Sequence, residues 1–144
     1  MGVAIPPDVV RWVSRSGGDG DCAIAAISLA TGHTYEQVLQ AALDVGIHPL
    51  PDGLYTAEVK RILTHLKISW KLKRKKFDLE KDTGILCLQA KNKKNSDHAV
   101  YLWAGRIVEP AIEHRSFWLD PSLYLLTEDY SIECLLVLDS SEIV

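Results

Sequence analysis

The sequence contains no apolar stretch long enough to cross a membrane. Its longest near-apolar run, Ala23 to Ala30, is much shorter than the roughly 20 residues that a membrane-spanning helix needs. The chain also begins MGVAIPPD, without the basic flank and apolar stretch of a signal peptide, and Pro6 stands where a myristoylation signal has Ser or Thr. These absences predict a cytoplasmic protein with no membrane partner.

Cysteine is scarce and irregularly spaced, with only Cys22, Cys87 and Cys134 in the chain. An odd count without a pattern argues against a secreted disulfide scaffold and for free thiols in a reducing compartment. The sequence also lacks H-E-x-x-H, C-x-x-C, G-x-S-x-G and glycine-rich phosphate-loop motifs. We therefore predict no metal site and no cofactor, and nothing local indicates a serine hydrolase.

The composition that remains is that of an ordinary globular domain. The chain has 144 residues, of which 47% are hydrophobic and 24% charged. At this length folding buries roughly 68% of the surface of the unfolded chain, which leaves room for an enzyme core. No internal repeat or linker is visible, so residues 1–144 are predicted to form a single domain.

Helical patterns come first in the chain and strand patterns follow. The Ala-rich segment that begins at Cys22 is apolar on every side and ends at Gly32, which is typical of a buried central helix. Thr34 and Gln37 form a capping-box pattern before a second helix, and a third helix runs from about Thr56 to Leu66. The predicted strands are Ile68–Lys73, Ile85–Ala90, His98–Trp103, Arg106–Glu109 and Ile132–Leu138. This order predicts an α+β domain in which a mostly antiparallel sheet packs on the N-terminal helices.

Cys22 is the strongest candidate for chemistry. It follows a glycine-rich polar loop and opens an apolar helix, where free N–H groups and the helix dipole favour a thiolate. The alternative is a small core residue, because free cysteine is among the most buried residue types. We assign that alternative to Cys87 and Cys134, which lie within apolar strands.

A thiolate nucleophile needs a base, and His98 is the best placed histidine because it leads an apolar strand directly after a polar loop. If Ala104 and Gly105 form the turn of the following hairpin, Val100 pairs with Glu109, and Glu109 lies diagonally across from His98. Glu109 can then orient the imidazole. The other four histidines stand in surface contexts: His33, His48, His65 and His114.

These residues together resemble the papain-like peptidases of the double-glycine leader type and their compact phage and bacterial relatives. The motifs that carry the resemblance are D-C-A-I-A-A, T-G-x-x-Y-E-x-V, H-A-V-Y and I-V-E-P, and they cover roughly Val9 to Pro110. The resemblance implies a papain-like fold with a cysteine nucleophile at the start of the central helix. It also implies a histidine on a strand and an acid on the next strand, which correspond to Cys22, His98 and Glu109.

The loop before the nucleophile differs from that family. Ser16 stands six residues before the cysteine, where such peptidases carry a glutamine that helps to hold the oxyanion. Backbone N–H groups of the loop can take that part, so we assign Ser16, Asp19, Gly20 and Asp21 to an oxyanion and substrate loop. The string G-D-G-D-C also resembles the Asp-Gly-x-Cys of ovarian-tumour-type deubiquitinases, with Asp19 as the matching aspartate.

The acid of the family is normally an aspartate that precedes proline. Here Glu109 precedes Pro110, whereas an Asp-Pro pair, Asp120 and Pro121, follows later in the chain. Asp120 is therefore the runner-up for the orienting acid.

The leading hypothesis is a thiol hydrolase that cleaves a peptide or isopeptide bond in a peptide or protein substrate, through an acyl-enzyme intermediate. The alternative is a catalytically silent relative that binds a peptide or a partner protein. A third hypothesis is a protein that binds nucleic acid or an acidic protein through the basic segment Lys60–Lys94, which holds twelve of the sixteen Lys and Arg residues and only three acids. In this segment Ser69, Lys71 and Lys73 alternate with apolar residues, which is typical of the solvated face of a strand. We therefore expect no binding to nucleic acid.

Overall fold

The computed structural model describes residues 22–48, 54–91, 98–109 and 116–138. In these ranges the chain forms four helices and six strands, and the strands make one antiparallel sheet. The elements in chain order are α1 (Cys22–Thr31), α2 (Tyr35–Asp44), α3 (Thr56–His65), β1 (Trp70–Lys73), β2 (Gly84–Ala90), β3 (His98–Trp103), β4 (Arg106–Glu109), β5 (Ser116–Trp118), α4 (Pro121–Glu128) and β6 (Tyr130–Leu138). The predicted α+β class with a mostly antiparallel sheet is confirmed.

Local sequence accounts for where α1 ends and where α2 begins. All residues of α1 after Cys22 are buried, in keeping with its apolar sequence. Gly32 follows α1 with a φ of +85°, a left-handed conformation that suits glycine. At the next helix the Gln37 backbone N–H donates to the Thr34 hydroxyl at 3.1 Å, and the Thr34 N–H donates to the Gln37 side chain at 2.8 Å. The predicted capping box of α2 is therefore confirmed.

The third helix explains why the strand after it is shorter than predicted. α3 buries Ile62 and Leu63. Beyond its end Lys67 adopts a φ of +63°, and the Ile68 N–H donates to the Leu63 carbonyl at 2.9 Å. This closing turn uses the first residues of the predicted strand, so β1 begins at Trp70.

The strands follow the order β1-β6-β2-β3-β4-β5, so the last described strand lies inside the sheet. Two elements are absent from the sequence-based prediction. β5 has only three residues, too few to show an alternating pattern. α4 begins at the Asp120–Pro121 pair, in which the sequence analysis sees a candidate orienting acid and not the start of a helix. β6 begins at Tyr130, two residues before the predicted strand, because Asp129 with a φ of +60° ends α4 and leads directly into the sheet.

Both faces of the sheet are covered by apolar side chains. The core on the α1–α3 side, here called the helical face, includes Ile24, Ile27, Ile85, Tyr101 and Leu136. The core on the opposite side, here called the α4 face, includes Leu86, Val100, Ile107, Trp118 and Tyr124. Burial on both sides explains why the first five residues of β2 are buried in succession instead of alternating. Across the described ranges, no helix combines the length and the apolar character that a membrane crossing requires.

The hairpin of β3 and β4 has the predicted register. Ala104 and Gly105 form its two-residue turn with φ values of +44° and +87°, the handedness that suits the twist of a hairpin. Trp103 pairs with Arg106. Because side chains alternate along each strand, this register brings the first residue of β3 and the last residue of β4 to the same face.

Candidate active site

Cys22 is the first residue of α1, so its side chain lies beside backbone N–H groups that have no partner within the helix. The positive end of the helix dipole favours a thiolate at this position. The residue is half-buried, whereas all later residues of α1 are buried. Among the residues of this helix, Cys22 is therefore the one with access to solvent.

His98 is the first residue of β3, and its imidazole forms a hydrogen bond with the side chain of Cys22. The helix α1 packs against β3, which brings the start of the helix to the start of the strand. The His98 side chain is 12% exposed. A histidine in this position is close enough to take the proton of the thiol.

Glu109 ends β4 and is only 4% exposed. Its Oε1 lies 2.6 Å from Nε2 of His98, so the predicted contact between these two residues is confirmed. With Nε2 bound to Glu109, Nδ1 is the ring nitrogen left for Cys22. The three side chains form a continuous chain of hydrogen bonds from the Cys22 thiol to the Glu109 carboxyl group.

The environment of His98 stabilises its protonated form. Burial alone would lower the pKa of His98, but hydrogen bonds to Cys22 and Glu109, together with the negative charges of both, outweigh burial and raise that pKa to about 10. At neutral pH the imidazole is therefore an imidazolium between two acidic groups. This is the charge state that keeps a catalytic cysteine ready as a thiolate.

Two tyrosines that the sequence analysis missed complete the surroundings. The Tyr124 hydroxyl donates a hydrogen bond to Oε2 of Glu109, and Tyr124 is fully buried. The Tyr130 ring stacks on the His98 ring, with centroids 5.6 Å apart and an angle of 20° between the planes. A signal for Tyr124 was present: Asp120 followed by Pro121 is a typical helix start, and it places Tyr124 one turn into the helix.

Asp120, the runner-up acid, caps a helix in the structure. Its Oδ1 accepts hydrogen bonds from the backbone N–H groups of Ser122 at 3.0 Å and Leu123 at 3.3 Å. The acid that contacts His98 is Glu109. Asp120 therefore caps α4. In the sequence, an Asp-Pro pair is compatible with a helix cap and with an orienting acid, so the pair alone does not decide between the two. The predicted oxyanion and substrate loop, Ser16, Asp19, Gly20 and Asp21, lies outside the described residues.

The other two cysteines lie in the sheet. Cys87 on β2 and Cys134 on β6 are direct neighbours across the strands, both are buried, and both are free thiols. A hydrogen bond to Cys134 and burial raise the pKa of Cys87. Their assignment as core residues agrees with this burial. In the part of the chain that the structure describes, no group of three or more His, Cys, Asp or Glu residues is arranged to hold a metal ion.

Comparison with protein-family models, with curated proteins and with solved structures found no match to this chain. Function is therefore inferred from the contacts within the site.

Proposed function

We propose that this protein is a papain-like thiol hydrolase that cleaves a peptide or isopeptide bond. The observation that carries the proposal is the hydrogen-bonded series Cys22, His98 and Glu109. A nucleophile, a base and an orienting acid come from three separate elements, α1, β3 and β4. Side chains far apart in the sequence meet here in the order that thiol catalysis requires.

The hydrogen bond to Glu109 determines how His98 acts. A carboxylate accepts hydrogen bonds, so Nε2 carries the proton that faces Glu109, and Nδ1 receives the proton of the Cys22 thiol. The resulting imidazolium lies between thiolate and carboxylate. Glu109 stabilises the positive charge and keeps the ring oriented while the proton moves.

The reaction proceeds in two halves. The Cys22 sulfur forms a bond to the carbonyl carbon, His98 then protonates the leaving nitrogen, and the C–N bond breaks to give a thioester and a free amine. Water next loses a proton to His98 and attacks the thioester. The C–S bond breaks, the acid is released, and the proton returns to the thiol. Backbone N–H groups at the start of α1 are suited to stabilise the oxyanion in both halves.

The papain-like assignment is supported by the placement of the three residues. The cysteine begins a buried helix, the histidine begins a strand of an antiparallel sheet, and the acid ends the neighbouring strand. Two sequence features favour the alternative, a silent relative that binds a peptide or a partner protein. Ser16 replaces the glutamine expected six residues before Cys22, and the acidic residues Asp19 and Asp21 stand close before Cys22 in the sequence, where like charge disfavours a thiolate.

A thiol-labelling experiment distinguishes an active site from a silent one without knowledge of the substrate. Near neutral pH, iodoacetamide should alkylate Cys22 much faster than Cys87 or Cys134, because Cys22 is accessible and paired with an imidazolium. Peptide mapping measures the three rates. The same protein is then incubated with libraries of peptides and isopeptides, and mass spectrometry follows both cleavage and the acyl-enzyme.

The matched variants are Cys22→Ala and His98→Ala, and both should abolish cleavage. Equal labelling of the three cysteines, together with no cleavage and no acyl-enzyme, contradicts the hydrolase and supports the binding alternative. Cleavage that survives in Cys22→Ala contradicts the nucleophile assignment.

A further inference from the structure

The acid of the site has hydrogen-bond partners on both of its oxygens. Oε1 of Glu109 contacts His98 Nε2, and Oε2 accepts from the hydroxyl of Tyr124. A carboxylate that is only 4% exposed is largely shielded from bulk water, so its bonds to protein groups carry more weight than they would at the surface. The orientation of the carboxylate therefore depends on its protein partners, and Tyr124 is one of them.

Tyr124 acts only as a donor to this carboxylate. Burial raises the pKa of Tyr124, and the negative charge of Glu109, the hydrogen bond to it, and the charges of Tyr130 and Glu128 raise it further, so the phenol keeps its proton. The edge of one ring packs against the face of the other where Tyr124 meets Trp118, with centroids 5.3 Å apart. The hydroxyl is thus presented to Glu109 by a ring that is held in place.

Tyr130 joins this tyrosine to the imidazole. Its ring stacks on His98 and also on Tyr124, where the centroids are 6.3 Å apart and the planes differ by 24°. Three groups contact His98 directly: Cys22 on α1, Glu109 on β4 and Tyr130 on β6. Tyr124 on α4 contacts Glu109.

We propose that Tyr124 is a positioning residue of the site: its hydroxyl turns the Glu109 carboxylate toward His98, and thereby keeps the imidazole in place for Cys22. Tyr124 acts through Glu109 and does not touch the substrate. The proposal rests on the proposed function for its effect on catalysis, but the contact of Glu109 with His98 can be tested without a substrate.

The variant that tests the proposal is Tyr124→Phe, which keeps the ring and removes only the hydroxyl. Oε2 of Glu109 then loses a donor at a buried position, so the carboxylate either rotates or takes up a proton. Either change weakens its attraction for the imidazolium. The His98 titration followed by NMR should therefore move to lower pH by about one pH unit.

Tyr101→Phe is the matched control, because it removes the hydroxyl of another buried tyrosine, which lies on β3 and on the helical face of the sheet. It should leave the His98 titration unchanged. An unchanged titration in Tyr124→Phe overturns the proposal. A shift to higher pH also overturns it, because the hydroxyl would then weaken the charge of Glu109 instead of directing it.

A double variant separates positioning from general support of the fold. If Tyr124 acts through Glu109, Tyr124→Phe combined with Glu109→Gln should titrate at His98 as Glu109→Gln alone does, and should alkylate at Cys22 at the same rate. Additive effects of the two substitutions overturn the proposal, because they show that Tyr124 acts by a route that bypasses Glu109.

Catalysis supplies a separate readout. With the best peptide from the library, Tyr124→Phe should lower kcat about tenfold and leave KM nearly unchanged, since the hydroxyl does not contact the substrate. If the wild-type protein cleaves no peptide, the proposed function fails. The NMR titration of His98 still decides whether Tyr124 positions Glu109.

Discussion

Glu109 places a carboxylate at Nε2 of His98, the ring nitrogen that does not serve Cys22. Replacement by glutamine keeps the shape of the side chain but removes that charge, so the imidazolium formed with the thiolate loses its stabilising partner. We expect Glu109→Gln to lower kcat/KM about ten- to a hundredfold, less than Cys22→Ala or His98→Ala, because orienting groups contribute less than nucleophile and base. Steady-state kinetics on a cleaved peptide measure the effect.

The control for that experiment is Asp120→Asn. Asparagine caps a helix about as well as aspartate, so this variant keeps α4 and Tyr124 in place and should have nearly wild-type activity. If Asp120→Asn abolished activity while Glu109→Gln had no effect, the assignment of the acid would be wrong.

The raised pKa of His98 also predicts how stability depends on pH. It is about 10 in the folded protein, compared with an ordinary value of 6.5, so the folded state binds this proton more tightly than the unfolded chain. The resulting stabilisation is complete below about pH 6.5 and is lost as the pH rises through about 10.

Urea unfolding at a series of pH values checks this prediction. Between about pH 7 and pH 10 the free energy of unfolding should decrease more steeply for the wild type than for His98→Gln, which has no group to titrate there. Parallel curves for the two proteins would show that His98 does not carry the extra proton in the folded state.

At the scale of an element, the start of β2 depends on a glycine. A Cβ added at Gly84 would overlap the backbone carbonyl oxygen of Leu136 on β6 and lie 3.0 Å from the Cα of Val137. Backbone atoms cannot move aside as a flexible side chain can. We expect Gly84→Ala to lower the free energy of unfolding by about 2 kcal/mol or more, measured by urea unfolding.

Gly46 is the matched position without a crowded neighbour. Its φ is +78°, but an added Cβ would meet nothing within 4 Å. Gly46→Ala should therefore cost only the backbone strain, about 1 kcal/mol. If the two variants lost equal amounts of unfolding free energy, β2 and β6 would have to separate enough to accept a side chain at Gly84.

The elements differ in how well the sequence predicts them, and the reasons are physical. The start of α1, the capping box of α2 and the β3–β4 turn are specified by neighbouring residues, and all three are confirmed. The contact of His98 with Glu109 follows from that turn, because a two-residue turn determines the register. β5 and α4 are short, and tertiary packing decides their presence more than local pattern does.

The contacts of Tyr124 and Tyr130 with the site could not be predicted from the sequence. Their contacts with Glu109 and His98 require α4 to lie on one particular face of the sheet and β6 to enter between β1 and β2. Neither arrangement is encoded in a motif that can be read locally. The catalytic roles of Cys22, His98 and Glu109 remain predictions for experiment.

At the scale of the whole molecule, several of the described basic side chains between Lys60 and Lys91 make local contacts. Lys60 lies over the Trp70 ring at 5.3 Å from its centroid, and Lys73 pairs with Asp82 at 2.8 Å. β1, which carries Lys71 and Lys73, is an edge strand of the sheet. Lysines on an edge strand discourage pairing with strands of other molecules, which gives this charge a role without a polyanion.

We therefore expect no salt-dependent association with nucleic acid. Fluorescence anisotropy with labelled single-stranded and double-stranded DNA and with RNA, at about 50 and 200 mM salt, tests this expectation. Binding at the lower concentration that weakens steeply at the higher one would contradict it, because such a slope reports release of counterions from phosphates.

The order in which the site residues occur along the chain has a consequence for biosynthesis. Cys22 leaves the ribosome first, and Tyr130 follows about a hundred residues later, after His98 and Glu109. Because β6 lies inside the sheet, the sheet and its tyrosines come together only once this late strand has emerged. A nascent chain therefore carries the Cys22 thiol without its complete set of partners, and the contact of Tyr130 with His98 forms only after β6 has emerged.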